Sequence, residues 1–240
     1  MNTNLWNGYW KGRKPLGDDH QRARNVISPS GGIFRGKFPS RKNGRMIEHE
    51  GLLELDAIYL LEVSPHITSY SEQPKKIQYP DGARVRRYTP DFEATLTSGK
   101  SLWIEVKPSE FLRRDDIQHK LNCVSEQMAR IQQGFVILTD DVLRREPRQS
   151  NARTIFHRAE RIRPTDARVK TVLAQCAGTL PASLARTTEL LARHGLEPYG
   201  LLMAGLISCD MDSPLSPQTQ MTMSEEADDG WFWIAQEHGF

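Results

Sequence analysis

The sequence predicts an α/β domain with a mixed β-sheet flanked by helices, followed by a small helical domain. Short runs rich in β-branched and aromatic residues alternate with two long stretches of helical period over about the first 160 residues. Two of the extended runs flank a four-residue connection that contains Gly99, which is typical of a β-hairpin. Helix, antiparallel strands, helix and strand in that order indicate an α/β domain with a mixed sheet.

Hydrophobic periodicity predicts the individual elements. A broad apolar face over Ile47–Val63 predicts a helix that ends at Ser64–Pro65 and carries Glu50 and Glu54 one turn apart. Apolar residues that step by four and three predict a second helix through Ile117–Ile131. Extended segments are predicted at Ile67–Tyr70, Lys76–Tyr79, Val85–Thr89, Phe92–Leu96, Leu102–Val106 and Phe135–Thr139.

Composition divides the chain into four parts, which are residues 1–45, 46–163, 164–223 and 224–240. The first part is rich in Gly, Pro, Lys and Arg without a sustained period, which indicates a basic, loop-rich arm. The second part holds the α/β domain and ends near Arg163–Pro164. The third part contains three short helical stretches and then two short extended pieces, an order that predicts a winged-helix domain. The fourth part is an acidic tail that includes Trp231, Phe232 and Trp233.

The composition is that of a soluble globular protein. With 38% hydrophobic and 26% charged residues and no apolar run near 18 residues long, no membrane-spanning helix is expected. The N-terminus has no basic start followed by an apolar segment, so we expect no secretory signal and a cytoplasmic protein. Cys123, Cys176 and Cys209 lack C-x-x-C or Cys/His spacing, so we predict packing residues and neither a zinc site nor a disulfide framework.

Charge is distributed unevenly along the chain. Residues 1–45 contain ten Lys or Arg against two acids, whereas residues 224–240 contain five acids and no Lys or Arg. This polarity indicates two different partners, with nucleic acid for the basic arm. The alternative is that both segments are only solvated termini.

Two acids and a lysine stand out on the predicted hairpin. Asp91 follows Pro90 at the start of one strand, and Glu105 stands two residues before Lys107 at the end of the other. Side chains alternate across a strand, so Glu105 and Lys107 share one face, and Asp91 reaches the same face from the neighbouring strand. If the first helix packs against that face, Glu54 adds a third carboxylate.

Three carboxylates in one place require a counter-charge. Two unit charges about 4 Å apart repel by roughly 4 kcal/mol at an effective dielectric near 20. Mg2+ relieves this repulsion and prefers oxygen ligands, and it can activate a water and bind phosphodiester oxygens. Lys107 would stabilise developing charge or orient the attacking water. The pattern predicts metal-dependent phosphodiester hydrolysis, and the alternative is a solvated hairpin with unrelated charges.

The residues around these acids carry a family resemblance. Pro90-Asp91 followed by Glu105-Val106-Lys107 resembles the PD-(D/E)-x-K nuclease signature. The segments KFPSRKNG, EGLLELDAIYLLEVSP, SEQPKKIQY, RRYTPDFEA and WIEVKPSE, in this order, resemble the N-terminal nuclease domain of TnsA, the endonuclease subunit of heteromeric transposases. The resemblance spans about residues 24–162, and YGLLMAGLISCDMDSPLSPQT resembles the family's C-terminal winged-helix part.

The resemblance implies a restriction-endonuclease-like fold for residues 46–163 and a role for each matching residue. It implies that Glu54, Asp91 and Glu105 bind Mg2+, for which Mn2+ would substitute, and that Lys107 is the catalytic lysine.

Three further residues near the site are less sharply assigned. Gln73 matches a family position, and its amide would orient a ligand or a phosphate unless it is only a turn residue that caps a strand. Glu50 is the alternative to Glu54 as the helix-borne ligand. We assign no role to His49, which we expect at the surface.

The resemblance also implies an activity and partners. The implied enzyme cleaves the non-transferred strand near the 5′ ends of a transposon, while a TnsB-like transposase cuts and joins the 3′ ends. A TnsC-like AAA+ ATPase would license both and contact the C-terminal region. Two alternatives remain, a non-catalytic adaptor that bridges DNA and proteins and a stand-alone restriction or repair nuclease with the same core.

Overall fold

The computed structural model describes residues 20, 22–23, 34–160, 166–224, 232–235, 238 and 240 of the 240-residue chain. They contain a mixed sheet flanked by helices, which confirms the predicted α/β class, and a smaller part with three helices and a short sheet. Within these ranges, no helix combines the length and the apolar character that crossing a membrane demands.

A β-hairpin begins the continuous part of the structure. β1 (Arg35–Ser40) pairs antiparallel with β2 (Arg45–Glu50), and Phe38 lies opposite Ile47. Both of these side chains are buried in the main core. The structure therefore differs from the predicted loop-rich arm from Arg35 onward, because the Gly-, Pro- and Lys-rich composition concealed a short strand with one buried face. Residues 20, 22–23 and 34 are the other described residues of that arm.

The first helix, α1, runs from Leu52 to Val63 and is shorter than predicted. Gly51, at a φ of +95°, separates it from β2, and glycine is the residue that adopts such a backbone conformation without strain. Consequently Glu50 lies on β2, whereas Glu54 lies in the first turn of the helix. The predicted placement of both acids on one helix is wrong.

Four strands form the main sheet, in the order β3 (Ile67–Glu72), β6 (Phe92–Leu96), β7 (Ser101–Val106) and β8 (Gly134–Leu138). The first three are antiparallel neighbours, and β8 runs parallel to β7. A parallel pair needs a crossover connection, which here contains α2 (Asp115–Arg130). The predicted hairpin is present, since β6 and β7 pair around a turn in which Gly99 has a φ of +78°.

The remaining two strands of this domain form a separate hairpin, made of β4 (Ile77–Asp81) and β5 (Arg84–Tyr88). Gly82 in its turn has a φ of +60°. Strand β5 is exposed along most of its length, since only Tyr88 at its end is buried. The base of the hairpin belongs to a small hydrophobic cluster that contains Tyr79, Tyr88, Trp103, Val124 and Met128.

Two helices complete the domain, α3 (Asp140–Leu143) and α4 (Arg148–Arg158). Ile104 and Val106 of β7 share the main core with residues of α1 and α4, whereas Trp103, which precedes Ile104, joins the small cluster with α2. The two faces of β7 thus contact different helices, as strand alternation requires.

The C-terminal part contains α5, α6 and α7 and a three-stranded sheet in the order β10-β11-β9. Its elements are α5 (Asp166–Cys176), β9 (Ala182–Ser183), α6 (Leu184–Ala192), α7 (Pro198–Met203), β10 (Ile207–Cys209) and β11 (Gln220–Met223). They lie close to the predicted segments, although the winged-helix assignment itself stays a prediction. The predicted boundary at Arg163–Pro164 lies outside the described residues.

The C-terminal part packs directly on α4. The Asn151 amide nitrogen donates to the carbonyls of Met211, at 3.1 Å, and Ser213, at 2.9 Å. The Arg148 guanidinium donates to both carboxylate oxygens of Asp212. The main hydrophobic core continues across this contact from Phe38 into the C-terminal part.

The last described residues also contact the α/β domain. Trp233 stacks on His66 with ring centroids 4.3 Å apart, and Arg148 donates to the Trp233 carbonyl at 2.7 Å. Phe232 and Phe240 are buried. These residues are thus docked on the α/β domain, while Trp231 and the acids of the predicted tail from Glu225 to Asp229 lie outside the described ranges.

Candidate active site

Asp91 and Glu105 meet at one end of the main sheet. Phe92 pairs with Ile104 across the antiparallel β6–β7 pair. Asp91, which precedes Phe92, and Glu105, which follows Ile104, therefore lie across from each other at the next position. The Asp91 carboxylate accepts a hydrogen bond from the backbone N–H of Val106 at 2.8 Å. Both acids are largely buried, with Asp91 8% and Glu105 3% exposed. The two acids of the predicted hairpin therefore lie together.

Lys107 lies beside Glu105, as alternation along β7 predicts. Its ammonium is 3.0 Å from Glu105 Oε1. Its backbone N–H donates to the Leu138 carbonyl at 3.0 Å, which extends the β7–β8 pairing to the lysine and fixes the start of its side chain. The other oxygen of Glu105, Oε2, accepts a hydrogen bond from the Tyr88 hydroxyl. Each Glu105 oxygen is thus held by a separate donor.

Glu54 approaches this site from the first turn of α1. The helix packs in the main core with Ile104 and Val106, on the face of β7 opposite to Glu105. The condition under which Glu54 was expected to join the site, packing of this helix against the Glu105 face, is therefore not met. Its N-terminal end nevertheless brings Glu54 near enough to act electrostatically on both Asp91 and Lys107.

Glu50 has a different environment from Glu54. The Glu50 backbone N–H donates to Glu54 Oε2 at 2.7 Å, and its own carboxylate accepts from the Arg35 guanidinium at 3.3 Å. Glu50 thus helps to orient Glu54 through the main chain, while its side chain pairs within the β1–β2 hairpin. The geometry favours Glu54 over Glu50 as the third carboxylate of the site.

The electrostatics of the site leave Asp91 short of positive charge. Burial, and then the negative charges of Glu105 and Glu54, hold the pKa of Asp91 well above its usual range, and the Val106 N–H and Lys107 oppose this only in part. Burial lowers the pKa of Lys107, but the neighbouring Glu105 carboxylate outweighs it and the net shift is upward. The site therefore combines an ammonium that stays protonated with a carboxyl that resists ionisation unless a further cation approaches.

The donor set fits a hard divalent cation. The structure contains buried carboxylates from two adjacent strands and a third carboxylate from a helix end, all oxygen ligands of the kind that Mg2+ prefers. A single lysine does not balance three acids in a buried place.

Gln73 is linked to the site through its backbone. Its N–H donates to the Asp91 carbonyl at 2.8 Å, its own carbonyl accepts from Ala23 at 2.9 Å, and its φ of +46° marks a tight turn. The side chain is buried. The turn is thus established, and a contact between the amide and a ligand stays a prediction.

His49 is not the surface residue that was expected. It is 2% exposed on β2, and its Nδ1 lies 3.0 Å from the Gly51 carbonyl. The ring also fills the space beside Gly36, where a β-carbon would come within 2.5 Å of Nε2. His49 therefore packs the hairpin against the residue that precedes α1.

The segment KFPSRKNG supports α1 from its other end. The Lys42 ammonium donates to three carbonyls near the end of this helix, those of Leu61, Ser64 and Ile67. The fully buried Glu62 carboxylate accepts from Ser40 Oγ at 2.7 Å, from the Arg41 N–H at 2.7 Å and from Tyr70 Oη at 2.8 Å. These contacts position the helix that carries Glu54.

Tyr88 is the residue of the site that sequence reasoning missed. It ends β5, is buried, and its hydroxyl contacts Glu105, which also raises the pKa of Tyr88 in addition to the effect of burial. Its position three residues before Asp91 offered a signal, but only the folded hairpin brings it to Glu105.

Comparison with protein families now adds an independent finding. Residues 64–140 match the model of the TnsA-like endonuclease N-terminal domain. The matched segment contains Gln73, Asp91, Glu105 and Lys107, while Glu54 precedes it. A search of curated proteins found no match. The match supports a TnsA-like nuclease family for this segment and suggests a transposase nuclease role.

Proposed function

We propose that the protein is a metal-dependent DNA endonuclease subunit of a transposase, which cleaves the non-transferred strand at the 5′ ends of a transposon during cut-and-paste transposition. The observation that carries this proposal is the convergence of Asp91, Glu105 and Lys107 at one end of the β6–β7 pair, within the segment that matches the TnsA-like endonuclease domain.

Glu54, Asp91 and Glu105 would hold Mg2+, with Mn2+ able to substitute. Such a cation, when bound, supplies a polarised phosphodiester and a more acidic water. Glu105 is already oriented by Tyr88 and Lys107, and Asp91 by the Val106 N–H, so the ligand oxygens are held before a cation arrives. Preorganisation of this kind lowers the cost of forming the reactive geometry.

Lys107 would act on the reacting phosphate. Its side chain is 27% exposed, so it reaches solvent while its ammonium contacts Glu105, and its raised pKa keeps it charged. A fixed ammonium beside the scissile phosphate stabilises the negative charge that develops during hydrolysis, or orients the attacking water.

The β4–β5 hairpin favours DNA as the substrate. Arg84, Arg86 and Arg87 are exposed on β5, and the same strand ends at Tyr88, which contacts Glu105. At about 3.3 Å per residue, Arg84 lies about 13 Å along the strand from Tyr88, a distance that spans about four base pairs of duplex axis. A duplex with its scissile phosphate at Lys107 would thus pass a row of positive charge.

A TnsB-like transposase that processes the 3′ ends and a TnsC-like AAA+ ATPase that contacts the C-terminal region complete the proposal. The support for these partners is the sequence resemblance, and for the transposase complex also the family match. Part of the C-terminal region is already engaged within the chain, since Phe232 is buried and Trp233 stacks on His66. A regulator that binds there would use the surface of α5, α6 and the small sheet, or displace Trp233.

Strand-specific mapping of nicks tests the proposal. DNA that carries the ends of the encoding element is incubated with Mg2+, with and without the neighbouring transposition proteins. We expect nicks at the 5′ ends of the element. Lys107→Ala should lower the cleavage rate at least about a hundredfold, since loss of one transition-state donor costs about 3 kcal/mol. Asp91→Asn should cut no faster than Lys107→Ala.

Lys100→Ala is the matched control, because Lys100 is exposed in the β6–β7 turn at the opposite end of the same strands. Wild-type cutting by Asp91→Asn or Lys107→Ala in the assembled system contradicts the proposed site. Cutting by the purified protein alone at a fixed sequence favours a stand-alone nuclease, and binding of ends without any Mg2+-dependent nick favours an adaptor.

A further inference from the structure

A second group of metal-ligating side chains lies outside the candidate active site. Asp81 is the last residue of β4, and His119 and Cys123 are one turn apart on α2. His119 Nε2 is 2.8 Å from Asp81 Oδ1, and Cys123 Sγ is 3.7 Å from the same nitrogen. One ligand atom from each residue lies within 4.8 Å of the other two. Two different elements thus bring a carboxylate, an imidazole and a thiol to one point.

The distances suit a tetrahedral metal ion. Zn2+ bonds of about 2.0–2.3 Å place neighbouring ligand atoms about 3.3–3.8 Å apart at the tetrahedral angle. The sulfur-to-nitrogen distance of 3.7 Å already matches this spacing. The oxygen-to-nitrogen distance of 2.8 Å is that of a hydrogen bond, and it needs to widen by about half an ångström when a metal replaces the proton. His119 is 66% exposed, so its ring is free to make that small movement.

Arg86 orients the carboxylate for such a site. Its guanidinium donates to Asp81 Oδ2, the oxygen that does not face His119. Outer contacts that fix a ligand in this way are a regular part of metal sites. Asp81 therefore presents one oriented, charged oxygen to the two α2 residues.

The ligand types select against the cation expected at Asp91. A thiolate and an imidazole are ligands for Zn2+ and other borderline or soft metals, whereas Mg2+ requires oxygen. Cys123 is partly buried against the small cluster of Tyr79, Tyr88, Trp103, Val124 and Met128, which limits its movement.

We propose that Asp81, His119 and Cys123 form a Zn2+ site that fastens the β4–β5 hairpin to α2. Three protein ligands leave a fourth position for water. The site does not depend on the proposed nuclease activity, because none of its residues belongs to the carboxylate cluster. A two-stranded hairpin is marginally stable by itself, and a metal link between β4 and α2 adds a restraint that the small hydrophobic cluster alone does not provide.

The consequence for the molecule lies at the base of the hairpin. Tyr88 ends the hairpin and donates to Glu105, so a restraint on β4 and β5 also restrains this hydrogen bond. Zn2+ binding at Asp81, next to the turn of the hairpin, would thus be connected through β5 to the orientation of Glu105 by Tyr88.

Metal titration of the untagged, full-length protein tests the site. We expect one Zn2+ per chain in competition with a chromophoric chelator, and a Co2+ form with thiolate-to-metal charge-transfer absorption. Cys123→Ser should abolish that absorption. Because loss of an outer-shell partner alone costs about 10–100-fold in metal affinity, Cys123→Ser and His119→Gln should each weaken Zn2+ binding at least about a hundredfold. Asp91→Asn should leave it unchanged.

His194→Gln is the control for a histidine elsewhere on the molecule, and circular dichroism of each variant verifies folding. Hydrogen exchange gives a second readout. At Zn2+ concentrations about 100 times Kd, hydrogen exchange of the β4 and β5 amides through openings that break the site should slow about a hundredfold. This slowing should occur in wild type and not in Cys123→Ser. An adventitious ion only, seen as equal Zn2+ affinity in Cys123→Ser, His119→Gln and wild type, overturns the proposal. The absence of stoichiometric binding also overturns it.

Discussion

Two buried acids on neighbouring strands, Glu72 and Asp91, have opposite electrostatic surroundings. Glu72 ends β3, opposite Phe92, and accepts two hydrogen bonds from the Arg45 guanidinium, at 2.9 and 2.6 Å. Arg22 is a further 2.6 Å partner. Burial raises the pKa of Glu72, but Arg45 and Arg22 outweigh burial and the net shift is downward.

Asp91 is also buried but has mainly other acids around it, and burial together with these acids raises its pKa. The contrast separates a buried carboxylate that the chain pairs with arginines from one that the chain leaves short of positive charge. An acid that only holds the fold together is paired by the chain itself, because an unpaired buried charge costs several kcal/mol. An acid that is left short of positive charge on a solvent-reaching edge is suited to receive a cation.

Substitution of the two acids should have opposite effects on stability. Glu72→Gln leaves the Arg45 charge buried without its partner and should lower the free energy of unfolding by about 3–5 kcal/mol. Asp91→Asn removes repulsion from Glu105 and Glu54 and should leave the free energy unchanged or raise it. Urea denaturation at neutral pH without divalent cations measures both. A large loss of stability in Asp91→Asn would contradict the expected difference between the two acids.

Tyr88→Phe should weaken metal binding while the fold persists. The phenyl ring keeps the packing of the small cluster and removes the hydroxyl that orients Glu105. Loss of such an outer contact lowers metal affinity or activity by about 10–100-fold. Calorimetry with Mn2+ and the rate of end cleavage measure the change. Tyr79→Phe, in the same cluster, is the control, and an equal effect there would show that the loss arises from packing.

The pH dependence of stability should also differ between the two acids. Glu72 has a lowered pKa in the folded state, so its contribution is complete above its unfolded pKa and is lost as pH falls through the folded value. Asp91 has a raised pKa, so the folded state binds the extra proton and stability falls as pH rises from the unfolded toward the folded value. Each proton changes stability by at most about 1.4 kcal/mol per pH unit. Denaturation curves measured across acid pH should lose the fall in stability that Asp91 causes, both in Asp91→Asn and on addition of Mg2+ to wild type.

The arginines show a smaller version of the same contrast. Arg45 is buried with Glu72, whereas Arg84 and Arg87 on β5 are exposed. If both contact phosphates, Arg84→Ala with Arg87→Ala should reduce the slope of log affinity against log salt by about 1.8 for duplex DNA. Fluorescence anisotropy at several salt concentrations measures this slope.

The control for the arginine pair is Lys100→Ala with Arg130→Ala. Lys100 lies in the β6–β7 turn, and Arg130 lies near the start of β8, which pairs with the start of β7. Both are thus at the end of the sheet opposite to Asp91. An equal loss of slope in the control would point to nonspecific charge rather than to the hairpin.

Much of the fold followed from local patterns. The β6–β7 hairpin, the α2 stripe and the β8 strand lie close to their predicted positions, because alternation and helical period reflect burial directly. The β1 strand was missed because its composition is that of a loop, and the start of α1 was misplaced because Gly51 interrupts an otherwise continuous apolar pattern.

By itself, the sequence determined that Glu105 and Lys107 share one face of a strand and that Asp91 lies beside them, since strand alternation and hairpin pairing are local properties. Only the tertiary structure decided which face α1 covers, that Glu54 rather than Glu50 approaches Asp91, and that Tyr88 orients Glu105. It also brought Asp81 to His119 and Cys123, although the cysteine spacing had spoken against zinc. Contacts between elements depend on packing across the whole chain, and such contacts leave no periodic trace in the sequence.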